Sequence, residues 1–285
     1  MLYIANPIYD IVFKYMMEDN KVARKFISTI IREQVLELEF APQENTIEKN
    51  KQADPETDTR TTVQTYYRAD FVAKLAVPDG YKTVLIEMQK VSQPTDIMRF
   101  RRYLGGQYRK ADNISMDING DEQARQIYCI FFFGEGLGIK GVPVLTVDNM
   151  VRDFATGESL NVKHNFIDGL HHKSWIIQVP DIKSERRRNE VEVLLSVFDQ
   201  HNKTGDKHIL TIREEDFPGE FHPIIRRLQK AVASEEVLRS MDFEDYFLED
   251  IRQSVRKKAR EKDRIIAKKD LALSEQAKAL NEKEA

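Results

Sequence analysis

Apolar residues recur at two different spacings along this chain, and the switches between them mark out its elements. Asn6-Pro7 suits a helix start, because asparagine caps free amides and proline tolerates the first helical position, so a helix is predicted from there to about Asp19. Helical spacing returns from Val22 to Leu38, with Phe26, Ile27, Ile30 and Ile31 facing a core. Ala41 to Thr59 is polar, contains Pro42 and Pro55, and is expected to be a loop with room for a short strand.

At Thr62 the pattern becomes strand-like and runs to Val77. Pro78-Asp79-Gly80 then turns the chain into a second strand, Lys82 to Val91, which predicts a β-hairpin. Thr95 opens a helix to about Ala111. Gln126 to Phe133 is a nearly continuous apolar run, the pattern of a strand buried on both faces. Further strands are expected at Val142 to Val147 and Ser174 to Val179, and helices at Ser184 to Asp199 and Pro218 to Val232. From Ser234 onward the chain reads as a highly charged helix whose apolar positions fit a continuous heptad poorly. The order of elements predicts an α/β domain over residues 1–233 and a charged helical C-terminal extension over 234–285.

The hairpin holds the candidate chemistry. A two-residue turn at Asp79-Gly80 would set Phe71 opposite Met88, Ala73 opposite Ile86 and Leu75 opposite Val84, making one face fully apolar. The other face would pair Asp70 with Gln89, Val72 with Glu87 and Lys74 with Leu85. Two carboxylates and an amide then share one side of a rigid hairpin. Mg²⁺ or Mn²⁺ prefers such oxygen donors, and the backbone carbonyl of Met88 would add another. An ordinary solvent-facing sheet surface is the competing account of the same pattern.

Composition narrows the choices. With 285 residues there is enough chain for one full core and an appendage, and 32% charged residues describe a strongly charged surface. The N-terminus lacks the pattern of a signal peptide and no stretch is long and apolar enough to span a membrane, so a cytoplasmic protein without membrane contact is expected. Cys129, the only cysteine, cannot form an internal disulfide and sits in an apolar run, so a buried structural thiol is expected. A net charge of −3 gives no global attraction to nucleic acid, which argues against a coating protein but not against an enzyme with local basic patches. Such patches are expected at Arg186-Arg187-Arg188 and between Arg252 and Lys269, where nine basic residues face two acidic ones. The six histidines read as loop residues without metal-site spacing, and Gly134 to Gly138 matches neither glycine-rich phosphate motif and reads as a flexible turn.

Asp70 followed by Glu87-Met88-Gln89 resembles the D…E-x-K/Q signature of PD-(D/E)XK nucleases. Together with Tyr9-Asp10-Ile11-Val12-Phe13-Lys14, Arg68-Ala69-Asp70-Phe71 and Arg99-Phe100-Arg101-Arg102-Tyr103, it resembles the PD-(D/E)XK nuclease family transposases, a branch related to the recombination-promoting nucleases. The resemblance covers roughly residues 1–200. It implies a restriction-endonuclease-like core, a mixed central sheet flanked by helices, and Mg²⁺-dependent cleavage of DNA phosphodiesters in a mobile element or in recombination. By carry-over Asp70 and Glu87 are the metal-binding acids. Gln89 stands where the usual lysine does, with Lys74 on the same hairpin face as the alternative. Ala69 replaces the proline of the motif. Asp10 is either a further acid at the metal or a helix residue paired with Lys14.

On the helix after the hairpin, Arg99, Tyr103 and Gln107 recur every four residues, and Arg102 and Arg109 extend a basic surface expected to contact DNA phosphates. The C-terminal helix is the candidate surface for a homo-oligomer. Two other functions stay open: a non-catalytic interaction protein that keeps the nuclease fold, and a nuclease that prefers RNA.

Overall fold

The computed structural model describes the chain apart from residues 41–45, 54–59, 68–70, 78–79, 90–95, 112, 117–119, 121, 163 and 285. Its elements run β1 (Leu2–Ala5), α1 (Asp10–Met17), α2 (Asn20–Ile31), β2 (Glu37–Phe40), β3 (Thr46–Ala53), β4 (Arg60–Tyr67), β5 (Phe71–Val77), β6 (Gly80–Gln89) and α3 (Asp96–Arg109). They continue with β7 (Ile114–Met116), β8 (Glu122–Ala124), β9 (Gln126–Phe133), β10 (Val144–Val147), β11 (Val151–Arg152), β12 (Ser159–Leu160), α4 (Asn165–Gly169), β13 (His172–Gln178), α5 (Glu190–Leu195), β14 (Ile209–Ile212), α6 (His222–Val232) and α7 (Glu235–Glu284). Among these helices none is long and apolar enough to cross a membrane.

The expected α/β class is observed. Six strands form a mixed central sheet in the order β10-β13-β9-β6-β5-β2, in which β9 is parallel to both β6 and β13 and the other neighbours are antiparallel. β6 and β9 lie in the middle of the sheet, and both faces of β6 are covered, with Lys82 to Met88 buried throughout. One face is filled by Phe13 of α1, Phe26 of α2, Phe132 and Phe198, whose rings lie 5.0 to 6.1 Å apart wherever they contact. The opposite face carries Leu85, Ile127 and Cys129 against Phe100 and Leu104 of α3.

Several boundaries differ from the sequence expectation, each for a local reason. Asn6 does not start a helix. It is fully buried, donating to the Gln200 side chain and to the Lys207 carbonyl, and the preceding residues form β1 against β14. The second helix stops at Ile31, where Arg32 takes a left-handed φ of 56° that ends the helix, and residues up to Leu38 lead into β2. Its start is fixed by Asp19, whose carboxylate accepts from the Lys21 and Val22 amides.

The stretch from Thr62 to Val77 is two strands. β4 pairs with β3 in a separate antiparallel sheet, and only β5 pairs with β6. Within that pair Phe71 faces Ile86, Ala73 faces Val84 and Leu75 faces Lys82, a register shifted by two residues from the predicted one. Gly80 pairs with Val77 instead of forming the turn, which lies outside the described residues. An even shift preserves the faces, because side chains alternate with period two. The expected helices at Ser184 to Asp199 and Pro218 to Val232 shorten to α5 and α6, with 3₁₀ turns at Ser196–Phe198 and Gly219–Phe221.

The chain divides into two compact units, Met1–Val237 and Leu238–Ala285, and α7 supplies the second.

Candidate active site

Alternation along β6 puts Lys82, Val84, Ile86 and Met88 on one face and Thr83, Leu85 and Glu87 on the other. Glu87 therefore shares its face with the apolar layer beneath α3. Its neighbour across the parallel ladder is Phe131, whose ring meets Phe100 edge-on at 4.2 Å. In these surroundings the Glu87 side chain is only 2% exposed. A carboxylate so placed loses most of its hydration, a cost that polar or charged neighbours have to offset.

The other residues expected in the site sit as follows. Gln89 is the last residue of β6, opposite Phe133 and two positions beyond Glu87, with its side chain outside the described residues. Asp70 lies outside the described residues as well. It precedes β5, whose first residue, Phe71, faces Ile86, the residue before Glu87. Met88 is buried on the opposite face. Lys74 faces Thr83 near the middle of β5, four positions along the strand from Asp70. Asp10 opens α1 and is half-buried, forming an ion pair with Lys14 one helical turn on. Among the described residues no group of three or more His, Cys, Asp and Glu side chains gathers in a way that could hold a metal ion. The donors that the described residues offer at the motif are the Glu87 carboxylate and the Met88 carbonyl.

On α3 the Arg99 side chain lies outside the described residues and Arg102 is exposed. Tyr103 is half-buried against the Leu85, Phe100 and Leu104 layer, and Gln107 is half-buried one turn further. Tyr108 reaches His172 at the start of β13, its hydroxyl 3.3 Å from Nδ1, so this helix is tied to the sheet at its far end. Burial, and then the neighbouring His171, hold the His172 imidazole below its ordinary pKa. His172 is thus a strand residue packed on an aromatic ring, and not the loop residue expected.

Two basic candidates are committed to the fold. Arg186 donates to the Gly141 carbonyl, while Arg187 donates to the Asp216 carbonyl at 2.9 Å and stacks on the Phe217 ring. Cys129 is buried as expected, and burial pushes its thiol up to about 12. Gly134 to Gly138 is pinned and not a loose turn at all: the buried Gln178 amide accepts from the Leu137 N–H and donates to the Ile139 and Val142 carbonyls.

One polar cluster was invisible in the sequence pattern. Lys82, on the apolar face of β6, donates to Glu33 at 2.6 Å and to the Tyr128 hydroxyl at 2.7 Å, and that hydroxyl donates to the other Glu33 oxygen at 2.6 Å. The only hint was Lys82 itself, a lysine at a position whose neighbours two residues away along the strand are buried.

Comparison of the chain with protein-family models, with curated proteins and with solved structures finds no match to any of them.

Proposed function

We propose that this protein is a metal-dependent DNA endonuclease of the PD-(D/E)XK kind. Asp70 and Glu87 would bind Mg²⁺ or Mn²⁺, and Gln89 would orient the attacking water or the scissile phosphate. The observation that carries this reading is the position of Glu87. Glu87 is 2% exposed on a face of a central strand that it shares with Leu85 and Thr83, one residue past the pair of Phe71 with Ile86. Asp70 is one residue past the same pair on the neighbouring chain segment.

A carboxylate in that place costs stability, so a role in chemistry is a better account of it than packing is. A divalent cation held by such acids supplies a lowered pKa for bound water and stabilisation of charge on the phosphate. Gln89 carries no charge, so it can position a group but cannot neutralise one. Arg102, exposed on α3, together with Arg99, Tyr103 and Gln107 of the same helix, would position the DNA backbone. A context in a mobile element or in recombination is what the family resemblance adds.

The test is nicking of supercoiled plasmid in Mg²⁺ or Mn²⁺ by the wild type beside Asp70→Ala and Glu87→Ala, with circular dichroism to establish folding. Loss of cleavage in both folded variants supports the assignment. Cleavage retained in both removes it. Cleavage of RNA but not of plasmid by the wild type makes the same site a ribonuclease.

A further inference from the structure

The central sheet ends in two edge strands that are finished differently. On β2 the exposed side chains of Glu37 and Glu39 put negative charge on the edge, and the Asn20 side chain donates to the Leu38 carbonyl at 2.7 Å. Charge of this kind guards an edge against pairing with another chain. β10, at the other end of the sheet, is Val144-Leu145-Thr146-Val147, without a charge and rich in β-branched residues. Thr146 and Val147 are exposed.

The register with β13 decides which backbone groups of β10 are open. The Gln178 N–H donates to the Pro143 carbonyl at 2.8 Å, and Val144 lies opposite Ile177 and Leu145 opposite Ile176. Antiparallel pairs alternate between bonded and non-bonded, so Pro143, Leu145 and Val147 turn their backbone groups to β13 while Val144 and Thr146 turn theirs outward. Among the described residues no protein group bonds those two N–H groups and two carbonyls.

We infer that β10 is a self-docking edge on which two copies of the chain pair antiparallel about a two-fold axis at Leu145. In that register Val144 lies opposite the partner's Thr146 and Thr146 opposite the partner's Val144. Each such pair exchanges two N–H to carbonyl bonds, so every open group on both copies is satisfied and the two six-stranded sheets become one continuous sheet. A two-fold with the strands parallel would set Val144 level with its own copy, whereas in a parallel ladder a residue that bonds sits level with one that turns away. The antiparallel arrangement is the one that closes.

The flanks of the strand suit a second copy better than a foreign peptide. Leu137 and Ile139, 45% and 46% exposed, precede β10 in the loop held by Gln178, and Val147 and Met150, 52% and 64% exposed, lie at its other end. An antiparallel copy brings the first apolar end of one chain beside the second apolar end of the other, and does so twice, which a lone added strand does not. This pairing does not depend on the proposed nuclease activity.

Equilibrium sedimentation of the full chain is expected to give a dimer. Thr146→Pro removes an N–H that no bond within the chain uses, so the fold is kept while two of the intermolecular bonds are lost. Self-association is then expected to weaken roughly thirtyfold or more, at about 1 kcal/mol for each bond. Circular dichroism establishes that each variant folds. Orientation and register are read by oxidation. Leu145→Cys is expected to cross-link to its own copy, because Cα atoms about 4.5 Å apart in a non-bonded pair are within disulfide reach, while Val147→Cys, opposite the partner's Pro143, is not. Cys129 is buried and takes no part. A wild type that stays monomeric at every concentration overturns the inference, including one whose β10 takes up an extended peptide of another protein. So does a dimer that Thr146→Pro leaves at full strength, or a folded, dimeric Leu145→Cys chain that does not cross-link.

Discussion

Lys82 lies 2.6 Å from the Glu33 carboxylate with its own side chain 7% exposed, so the pair links an almost buried cation to a partner that still meets water at 29% exposure. The Tyr128 hydroxyl completes the triangle, and the Lys82 ammonium also sits 4.8 Å from the centre of the Tyr128 ring.

Truncating this lysine strands two oxygens that had been satisfied. Lys82→Ala is expected to cost about 2–3 kcal/mol, below the full value for a buried pair because Glu33 is partly hydrated. Lys82→Met combined with Glu33→Gln should recover part of that loss. Urea denaturation of the single and double variants checks both, and a coupling near zero would mean that the pair is merely adjacent.

Asp199 is buried, and its carboxylate accepts from the Ser184 amide and hydroxyl and from the His201 amide and ring. Burial alone raises its pKa, but these hydrogen bonds outweigh it and the net shift is downward from 3.8. A depressed carboxylate contributes stability that is complete above the unfolded value and is lost as pH falls through the folded one. Asp199→Asn is therefore expected to destabilise the domain at neutral pH, with the gap to the wild type closing below about pH 4. Chemical denaturation from pH 7 down to pH 3 reads it directly.

His172 gives a window of the same sense at higher pH. Its folded pKa lies below 6.5, so as pH falls from there the unfolded chain takes up a proton that the folded chain resists. Stability from this group is complete above pH 6.5 and is shed on acidification. His172→Gln is expected to flatten that part of the pH profile. A variant whose midpoint tracks the wild type across the same range would remove His172 as the cause.

Cys129 provides a probe of sheet opening. With its thiol at about 12 and fully buried, it is expected to resist a disulfide reagent at pH 8 in the native state and to react once denatured. Its labelling rate against denaturant should follow global unfolding. Rapid native labelling would show that α3 lifts from the sheet by a local route.

If Glu87 holds a cation, binding raises stability by mass action, about 2.7 kcal/mol at a hundredfold excess over Kd. Mg²⁺ or Mn²⁺ is expected to raise the denaturation midpoint of the wild type and leave that of Glu87→Gln in place. An equal rise in both would locate the cation elsewhere, whatever the cleavage assay gives.

What the chain discloses locally and what it does not is clearest at particular residues. Gln126–Phe133 reads as a buried strand with the bounds observed, because a run apolar on both faces needs no partner to be recognised. The β5–β6 hairpin is equally legible, yet its register slipped by two, since Asp79-Gly80 is the stronger turn signal while Gly80 is already paired to Val77. Parity rescued the face assignment, so Glu87 stayed on the side expected. The N-terminal strand was hidden behind a good helix-start signal, because Asn6 spends its side chain on Gln200 and Lys207, about 200 positions away. Lys82 with Glu33, 49 positions apart, was hidden for the same reason. Pairings of this kind belong to the packed state and leave no periodicity behind.

The union of β1 with β14 governs when this domain can finish forming. Leu2 faces Ile212 and Ala5 faces Ile209, so during synthesis β1 waits for a partner strand made some 200 residues later. Until then the apolar side of Leu2–Ala5 and the buried Asn6 lack the strand they close on, and a nascent chain that has not reached Ile212 carries an open seam. Closure over so long a loop is entropically late, which sets the rate of the final folding step by topology and not by local propensity.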